Sequence, residues 1–271
     1  MKKIIVFSLW GNIPCYTVGA IKNALLAKKY FSDWICRYYY DNTVPNEIIK
    51  KLNSYDNIEL VFVEKPSGAI NWKLPGQFGM LWKFYAFNDD DVEIWMSRDT
   101  DSRISPYEKK YIDKFLNSDK IIHSFRDEKE PLLRAGMMSF KNYSLIDNKY
   151  RDNRIINGEK LDIKLMMNYI NKNNTPFYCD ENFLKDKLLP IYKNYYSYNL
   201  RNDNSMSFPV CYGPYVGAML DCNDCWIKDH NFKQKGISII NNTIQKIDYL
   251  FKYDNLNEFL ENFIAQLNTN F

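Results

Sequence analysis

Only two histidines, His123 and His230, occur in 271 residues, and glycine and proline number ten each. So little glycine and proline, beside 46% hydrophobic residues, excludes collagen-like, low-complexity and disordered chains. An excess of charge of one sign is also missing. Lys and Arg total 36 against 33 Asp and Glu, a formal charge of +3, which is less than a dedicated duplex-DNA binder carries. No apolar run reaches the ~18 residues of a membrane span. The run Ile4–Trp10, behind Met1-Lys2-Lys3, stops at Gly11-Asn12 with no small-residue cleavage site, so it reads as a buried strand rather than a signal peptide. The expectation is a cytoplasmic protein (in the host cytoplasm if the chain is viral). Cys15, Cys36, Cys179, Cys211, Cys222 and Cys225 are then reduced thiols, and the sequons at Asn142, Asn173 and Asn241 stay unglycosylated. Cys211, Cys222, Cys225 and His230 could form a zinc tetrad, but their gaps are irregular and idle thiols are the plainer reading.

What is plentiful is aromatic side chain, 21 Tyr and 17 Phe, most of it expected in a core. The first part of the chain alternates in period. Strand patterns at Ile4–Leu9, Asp33–Tyr40, Ile58–Val63 and Asp91–Met96 are separated by helical spacing over Tyr16–Tyr30, after Pro45, and over Phe78–Phe87. That order predicts an α/β fold with a mostly parallel central sheet flanked by helices, whose ligands bind at the carboxyl ends of the strands. Further on, Pro106–Asn117 reads as a helix capped by Ser105, Ile121–Phe125 and Met137–Phe140 as short strands, and Gly158–Ile170, Glu181–Leu188 and Leu256–Leu267 as helices. Asn142–Asn157 reads as a flexible insertion and the Tyr- and Asn-rich residues 191–215 as irregular. With no repeat and no linker, residues 1–271 form one domain: 1–103 as a nucleotide-binding half, 104–271 as an acceptor and sugar half.

The most informative segment is Ser97-Arg98-Asp99-Thr100-Asp101-Ser102-Arg103, where an apolar strand runs into two carboxylates one residue apart. Alternate side chains at a strand end point the same way. Two carboxylates so placed repel unless a cation lies between them, and their hard oxygens suit Mg²⁺ or Mn²⁺ with positions left for phosphate oxygens. The structural alternative is a turn capped by Asp99, with Arg98 and Arg103 pairing both acids.

These residues resemble the Asp-x-Asp glycosyltransferases of the GT-A fold. More narrowly, the chain resembles a glycosyltransferase-like group found in bacteria, large DNA viruses and some eukaryotes. The likeness runs over about residues 3–220, through Phe7-Ser8-Leu9-Trp10-Gly11-Asn12, Gly19–Ala24, Met80-Leu81-Trp82-Lys83-Phe84, Phe125-Arg126-Asp127, Gly136-Met137-Met138 and Asp180-Glu181-Asn182-Phe183-Leu184. It implies transfer of a sugar from a nucleotide-sugar, with UDP the first guess, to a glycan or other hydroxyl acceptor. It implies a metal on Asp101 with Asp99 nearby, and donor contacts from Ser8, Trp10, Gly11, Tyr16, Lys83, Arg98, Asp99, Gly136 and Met137. Asp127, Asp180 and Glu181 are unranked candidates for catalytic carboxylates.

The chain departs from that pattern where Lys83 stands for Arg, Glu181 for Gln, and Tyr196-Ser197-Tyr198-Asn199 for a His-Asp-Ser stretch. Two other readings therefore stay open. One is a glycosyltransferase-like domain that binds sugar or partner without turnover. The other is a metal-dependent phosphodiesterase or nuclease built on Asp99, Asp101 and Asp127, for which the carboxylates and histidines of a two-metal site are too few.

Overall fold

Strand β1 (Lys2–Leu9) is apolar at every position from Ile4 to Phe7 because both of its faces are covered. Ile4 and Val6 point into one core layer, Ile5, Phe7 and Leu9 into the other. Such a strand belongs in the middle of a parallel sheet. The computed structural model describes residues 1–64, 75–126, 133–146, 149–156, 158–173, 179–201, 217–221, 223–224, 227, 237–240, 243–246 and 256–269.

From β1 the chain passes through α1 (Pro14–Tyr30), β2 (Ile35–Tyr40), α2 (Asn46–Asn53) and β3 (Ile58–Phe62). Next come α3 (Pro75–Trp82), which tightens into a 3₁₀ turn over Lys83–Asn88, and β4 (Val92–Ser97), α4 (Pro106–Leu116) and β5 (Ile122–Arg126). A 3₁₀ turn, Ala135–Met137, leads into β6 (Met138–Lys141). Two short hairpins follow, β7 (Tyr143–Ile146) with β8 (Lys149–Asp152) and β9 (Ile155–Ile156) with β10 (Glu159–Lys160). The rest comprises α5 (Ile163–Asn173), α6 (Cys179–Phe183), α7 (Leu189–Tyr192), β11 (Tyr196–Leu200), the hairpin of β12 (Ile237–Ile240) and β13 (Thr243–Lys246), and α8 (Leu256–Thr269). No helix among the described residues is long and apolar enough to cross a membrane.

The main sheet has seven strands in the order β11-β5-β6-β4-β1-β2-β3. All neighbours are parallel except β6, which runs antiparallel to both β4 and β5. One face of the sheet carries α1, α2 and α8, the other the aromatic layer of Trp82, Phe84, Phe87, Trp95, Phe140 and Phe183. This is the mostly parallel α/β sheet that the alternation of periods implied. The strand order reverses between β1 and β4: the chain winds outward through β2 and β3, then returns to the other side of β1. A parallel sheet opens a crevice at such a reversal, at the carboxyl ends of its strands.

Three expectations are corrected. Residues 142–157 contain the β7–β8 hairpin, tied to the core by polar side chains rather than loosely inserted. Asn142 is fully buried; its Oδ1 accepts from Trp95 Nε1 (3.1 Å), and its Nδ2 donates to the carbonyls of Ala86 (3.1 Å) and Val92 (3.0 Å). A glycan could not be attached to it in the folded protein. Residues 196–200 are an edge strand, β11, parallel to β5, because a run of tyrosines can cover an edge strand as well as fill an irregular loop. The helix expected from Gly158 begins at Ile163, after the short β10.

His123 sits in β5 at 2% exposure, packed between Phe115 and Phe125, with Nε2 on Asn199 Oδ1 at 3.0 Å. Burial, with a smaller push from Arg98, drives its pKa from 6.5 down to about 4 against the opposing effect of the Asn199 hydrogen bond. Between those values the unfolded chain binds a proton that the folded chain refuses, so stability is full above the upper value and falls as pH drops through the window. Urea unfolding over that range should show a loss of about 3 kcal/mol at the acid end, from a shift of this size. The His123→Leu variant should lack that component.

Candidate functional site

The loop after β4 lies at the β1/β4 reversal, and α1 is shaped to receive it. A side chain at Gly19 would put its Cβ 2.1 Å from the Thr100 carbonyl oxygen, so this helix position has to be glycine for the loop to rest on it. One turn on, Asn23 donates from Nδ2 to the Ser102 carbonyl (2.8 Å) and accepts on Oδ1 from the Ile104 N–H (3.0 Å). Ser102 Oγ donates back to the Asp99 carbonyl at 2.9 Å. From outside, the Leu220 N–H donates to the Asp101 carbonyl at 2.6 Å. The loop thus has its backbone polar groups satisfied from three directions, as a buried irregular segment must.

The two arginines of the motif face inward, and their acids come from elsewhere. Arg98 is buried with Nε 2.6 Å from Glu108 Oε2, the first-turn glutamate of α4, and its Nη1 donates to the Ser97 carbonyl. Arg103 Nε is 2.8 Å from Asp224 Oδ1, and Lys22 Nζ is 2.5 Å from the other oxygen of the same carboxylate. Lys22, buried in α1, also lies under the rings of Phe259 and Phe263 of α8 at 4.8 and 4.5 Å. Arg98 therefore does not stand among the residues that face the crevice, contrary to the donor-binding role expected of it. Its guanidinium is committed to Glu108 because both groups are sealed beneath α4, where neither could remain charged alone.

The acid pair divides. Asp99 reaches out, with 56% of its side chain exposed, whereas Asp101 is 6% exposed. Across from Asp99, Lys83 begins the 3₁₀ turn after α3, and its backbone N–H donates to Ser8 Oγ at the end of β1 (3.1 Å). The Lys83 ammonium, on a side chain only 4% exposed, lies 3.1 Å from Asp99 Oδ1 and 3.3 Å from Asp180 Oδ2. Burial alone would pull this ammonium's pKa down; the two carboxylates outweigh it and raise it above the usual lysine range. Asp180, 11% exposed at the start of α6, also accepts the Glu181 N–H at 2.9 Å. Glu181 lies 3.4 Å from Arg134, and its carboxyl is raised, first by burial and then by Asp180 and Asp99, against the effect of Arg134. Three carboxylates and two cations thus meet beside the reversal.

Gly136 forms the floor. Ser97 Oγ donates to the Ala135 carbonyl, which brings the 3₁₀ turn up against the tip of β4, and a Cβ on Gly136 would lie 2.0 Å from Asp99 Oδ2. The remaining expected donor contacts scatter. Met137 turns into a small apolar cluster with Tyr111 and Phe125. Trp10 packs edge-on against Trp82 on the aromatic layer, whereas Tyr16 packs on the α1 layer. Gly11 sits in the exposed turn after β1, its N–H on Thr43 Oγ1 at 2.6 Å. Asp127 and the cysteine–histidine group of Cys211, Cys222, Cys225 and His230 lie outside the described residues.

The site was therefore brought together from Ser8, Lys83, Asp99, Gly136, Asp180 and Glu181. Sequence reasoning missed Asn23, Lys22, Glu108 and Asp224. Lys22-Asn23 in the middle of an otherwise apolar helix was the available signal, since buried polar side chains need partners.

Two carboxylates of one loop suit a hard divalent cation that completes its shell with water and phosphate. Among the described residues no group of three His, Cys, Asp or Glu side chains is placed to hold a metal ion.

Comparison of the sequence with family profiles and with curated proteins gives no match. Among solved structures, the chain is similar to a glycosyltransferase involved in glycosylating the major capsid of PBCV-1, at 15% identity and TM-score 0.41 over 74% of this chain and 82% of that one. It is similar to the galactosyltransferase LgtC bound to donor and acceptor sugar analogues, at 10% identity and TM-score 0.44 over 96% and 95%. It is also similar to a 4-diphosphocytidyl-2C-methyl-D-erythritol synthase from Anaerococcus prevotii, at 14% identity and TM-score 0.37 over 74% and 86%. These are likenesses of chain path, and the chemistry rests on the site itself.

Two substitutions separate structure from chemistry here. Glu108→Ala leaves Arg98 buried without its acid and should cost about 3–5 kcal/mol in chemical denaturation. Gly136→Ala meets only the movable end of Asp99, so Tm should change little while the carboxylate is pushed aside. A loss of ligand binding at near-native Tm is the expected outcome.

Proposed function

We propose that this protein is a metal-dependent glycosyltransferase that moves a sugar from a nucleotide-sugar, UDP-linked as the first guess, to a glycan or other hydroxyl acceptor. The observation that carries the reading is the place of Asp99. It is the outward-facing acid of an Asp-x-Asp motif, at the tip of a central strand, where the strand order reverses and a crevice opens. The proposal includes a cytoplasmic location, consistent with Cys36 as a free, buried thiol.

In this reading Asp101 and Asp99 hold Mn²⁺ or Mg²⁺, which when bound supplies positive charge to the leaving diphosphate. His123, enclosed between Phe115 and Phe125, takes no part in that shell. Asp99 also accepts hydrogen bonds from sugar or ribose hydroxyls. Gly136, having no Cβ, lets that carboxylate lie against its backbone. Lys83 keeps Asp180 close to Asp99 without repulsion, so that two acceptors face the sugar at once. Glu181, with a carboxyl raised by burial, is the group best suited to exchange a proton with the acceptor hydroxyl, and Asp180, held in its ion pair, is less suited.

A thermal-shift panel of UDP-, GDP- and dTDP-sugars with and without Mn²⁺ tests the reading. A ligand at 100 times its Kd adds about 2.7 kcal/mol, a rise of several degrees for a chain of this size. One nucleotide class should shift Tm only with metal, and Asp101→Ala should abolish the shift. A flat panel would leave a binding module without turnover, and release of nucleotides from nucleic acid would indicate the nuclease instead.

A further inference from the structure

The stretch Tyr196-Ser197-Tyr198-Asn199, singled out above as a departure, lies on the same side of the sheet as the carboxylates. Ile122 of β5 points into the aromatic layer, so Ser124 and Arg126 share its face, and Tyr198 stands beside Ser124 in the parallel β11. The Arg134 N–H reaches Ser124 Oγ at 3.4 Å and its guanidinium reaches Glu181 at 3.4 Å, which joins this face to the Asp180 and Asp99 cluster. Height agrees as well. Met96, Ser139 and His123 are level across β4, β6 and β5, so Asp99 and Arg126, each three residues further on, stand at the same carboxyl rim with Gly136 between them. Two strand spacings put the tips of β4 and β5 about 10 Å apart, a span that a short glycan can bridge.

Arg126 differs from Arg98, Arg103 and Arg134, each of which meets an acid. Its guanidinium lies on the Tyr198 ring, 3.4 Å from the centroid, and among the described residues its Nε has no hydrogen-bond partner. A ring holds a guanidinium in place without cancelling its charge, so the planar fork can still receive a carboxylate or phosphate. Tyr198 is 47% exposed, and the Tyr196 ring lies 5.9 Å from it at a 30° tilt. Such a surface suits the C–H face of a sugar, whose weakly positive hydrogens meet the negative face of an aromatic ring. We propose that Arg126 and Tyr198 form an acceptor subsite for a sugar that carries an oxyanion, with Tyr198 against the sugar ring and Arg126 on the charged group. The word acceptor rests on the glycosyltransferase reading above; the binding chemistry rests on this pair.

Saturation-transfer NMR titrations of the full chain with glucose, glucuronate and glucose 6-phosphate, at constant ionic strength, test it without turnover. At least one of the two acids should bind about tenfold more tightly than glucose, as a hydrogen bond to a charged group allows, and the tighter acid tells carboxylate from phosphate. Arg126→Gln should remove that preference and leave glucose binding as it was, whereas Arg126→Lys should keep the preference. Tyr198→Leu, at an exposed edge position, should fold as wild type and weaken all three sugars. The metal-dependent shift of Tm with nucleotide-sugar should be the same in Arg126→Gln as in wild type. Equal binding of the three sugars, binding of none, or an acid preference that survives Arg126→Gln overturns the subsite, and a positive nucleotide panel then leaves the transferase reading in place. A flat panel beside an acid preference that Arg126→Gln abolishes keeps the subsite and removes the transferase.

Discussion

Asp99 stays available to solvent because the motif's own arginines are engaged elsewhere. Arg98 is held by Glu108 and Arg103 by Asp224, so neither closes back over the acid between them. Both pairs are buried, and a buried guanidinium without its acid is among the costlier states a fold can contain. The carboxylate at the tip of β4 is left with Lys83 as the cation in contact. The same pairs bind separate parts of the chain to the loop: α4 through Glu108, and, through Asp224 and Lys22, α1 and the rings of α8.

Where the crevice lies follows from the sheet. β1 has apolar side chains on both faces and takes an interior place, with the chain returning past it to make β4. Ser8 and Asp99 stand at the ends of these adjacent parallel strands, and Lys83 is drawn in between by its amide on Ser8. The antiparallel β6 is the departure from a wholly parallel sheet. It enters from the carboxyl end beside β4, which is how Gly136 comes to lie under Asp99.

Much of this was legible in the residues. The first strand declared itself by a continuous β-rich run and the next three by short apolar and aromatic stretches, and the helices between them by spacing and by Pro45. The acid pair stood out because a strand that apolar seldom ends in two carboxylates without a task. Other elements were hidden for reasons that can be named. β11 is rich in Tyr and Asn because it is an edge strand with half-buried side chains, so its pattern carries no core stripe. The β7–β8 hairpin looked loose because its anchors, Asn142, Asn153 and Arg154, are polar; each is buried and hydrogen-bonded, which composition cannot reveal.

By itself the sequence determined the alternation of strand and helix, the parallel sheet that follows from it, and the loop that carries two acids one residue apart. These are local matters of period, length and neighbouring residue type. Only the tertiary structure decided which cation meets which acid. Lys83 and Asp180 are 97 positions apart, Arg103 and Asp224 are 121 apart, and no pattern within a single element encodes such a pairing. Charges find their partners through burial: the buried cations of Lys83, Arg98 and Arg103 are stable where the folded chain delivers a carboxylate, and that delivery is a property of the whole packing.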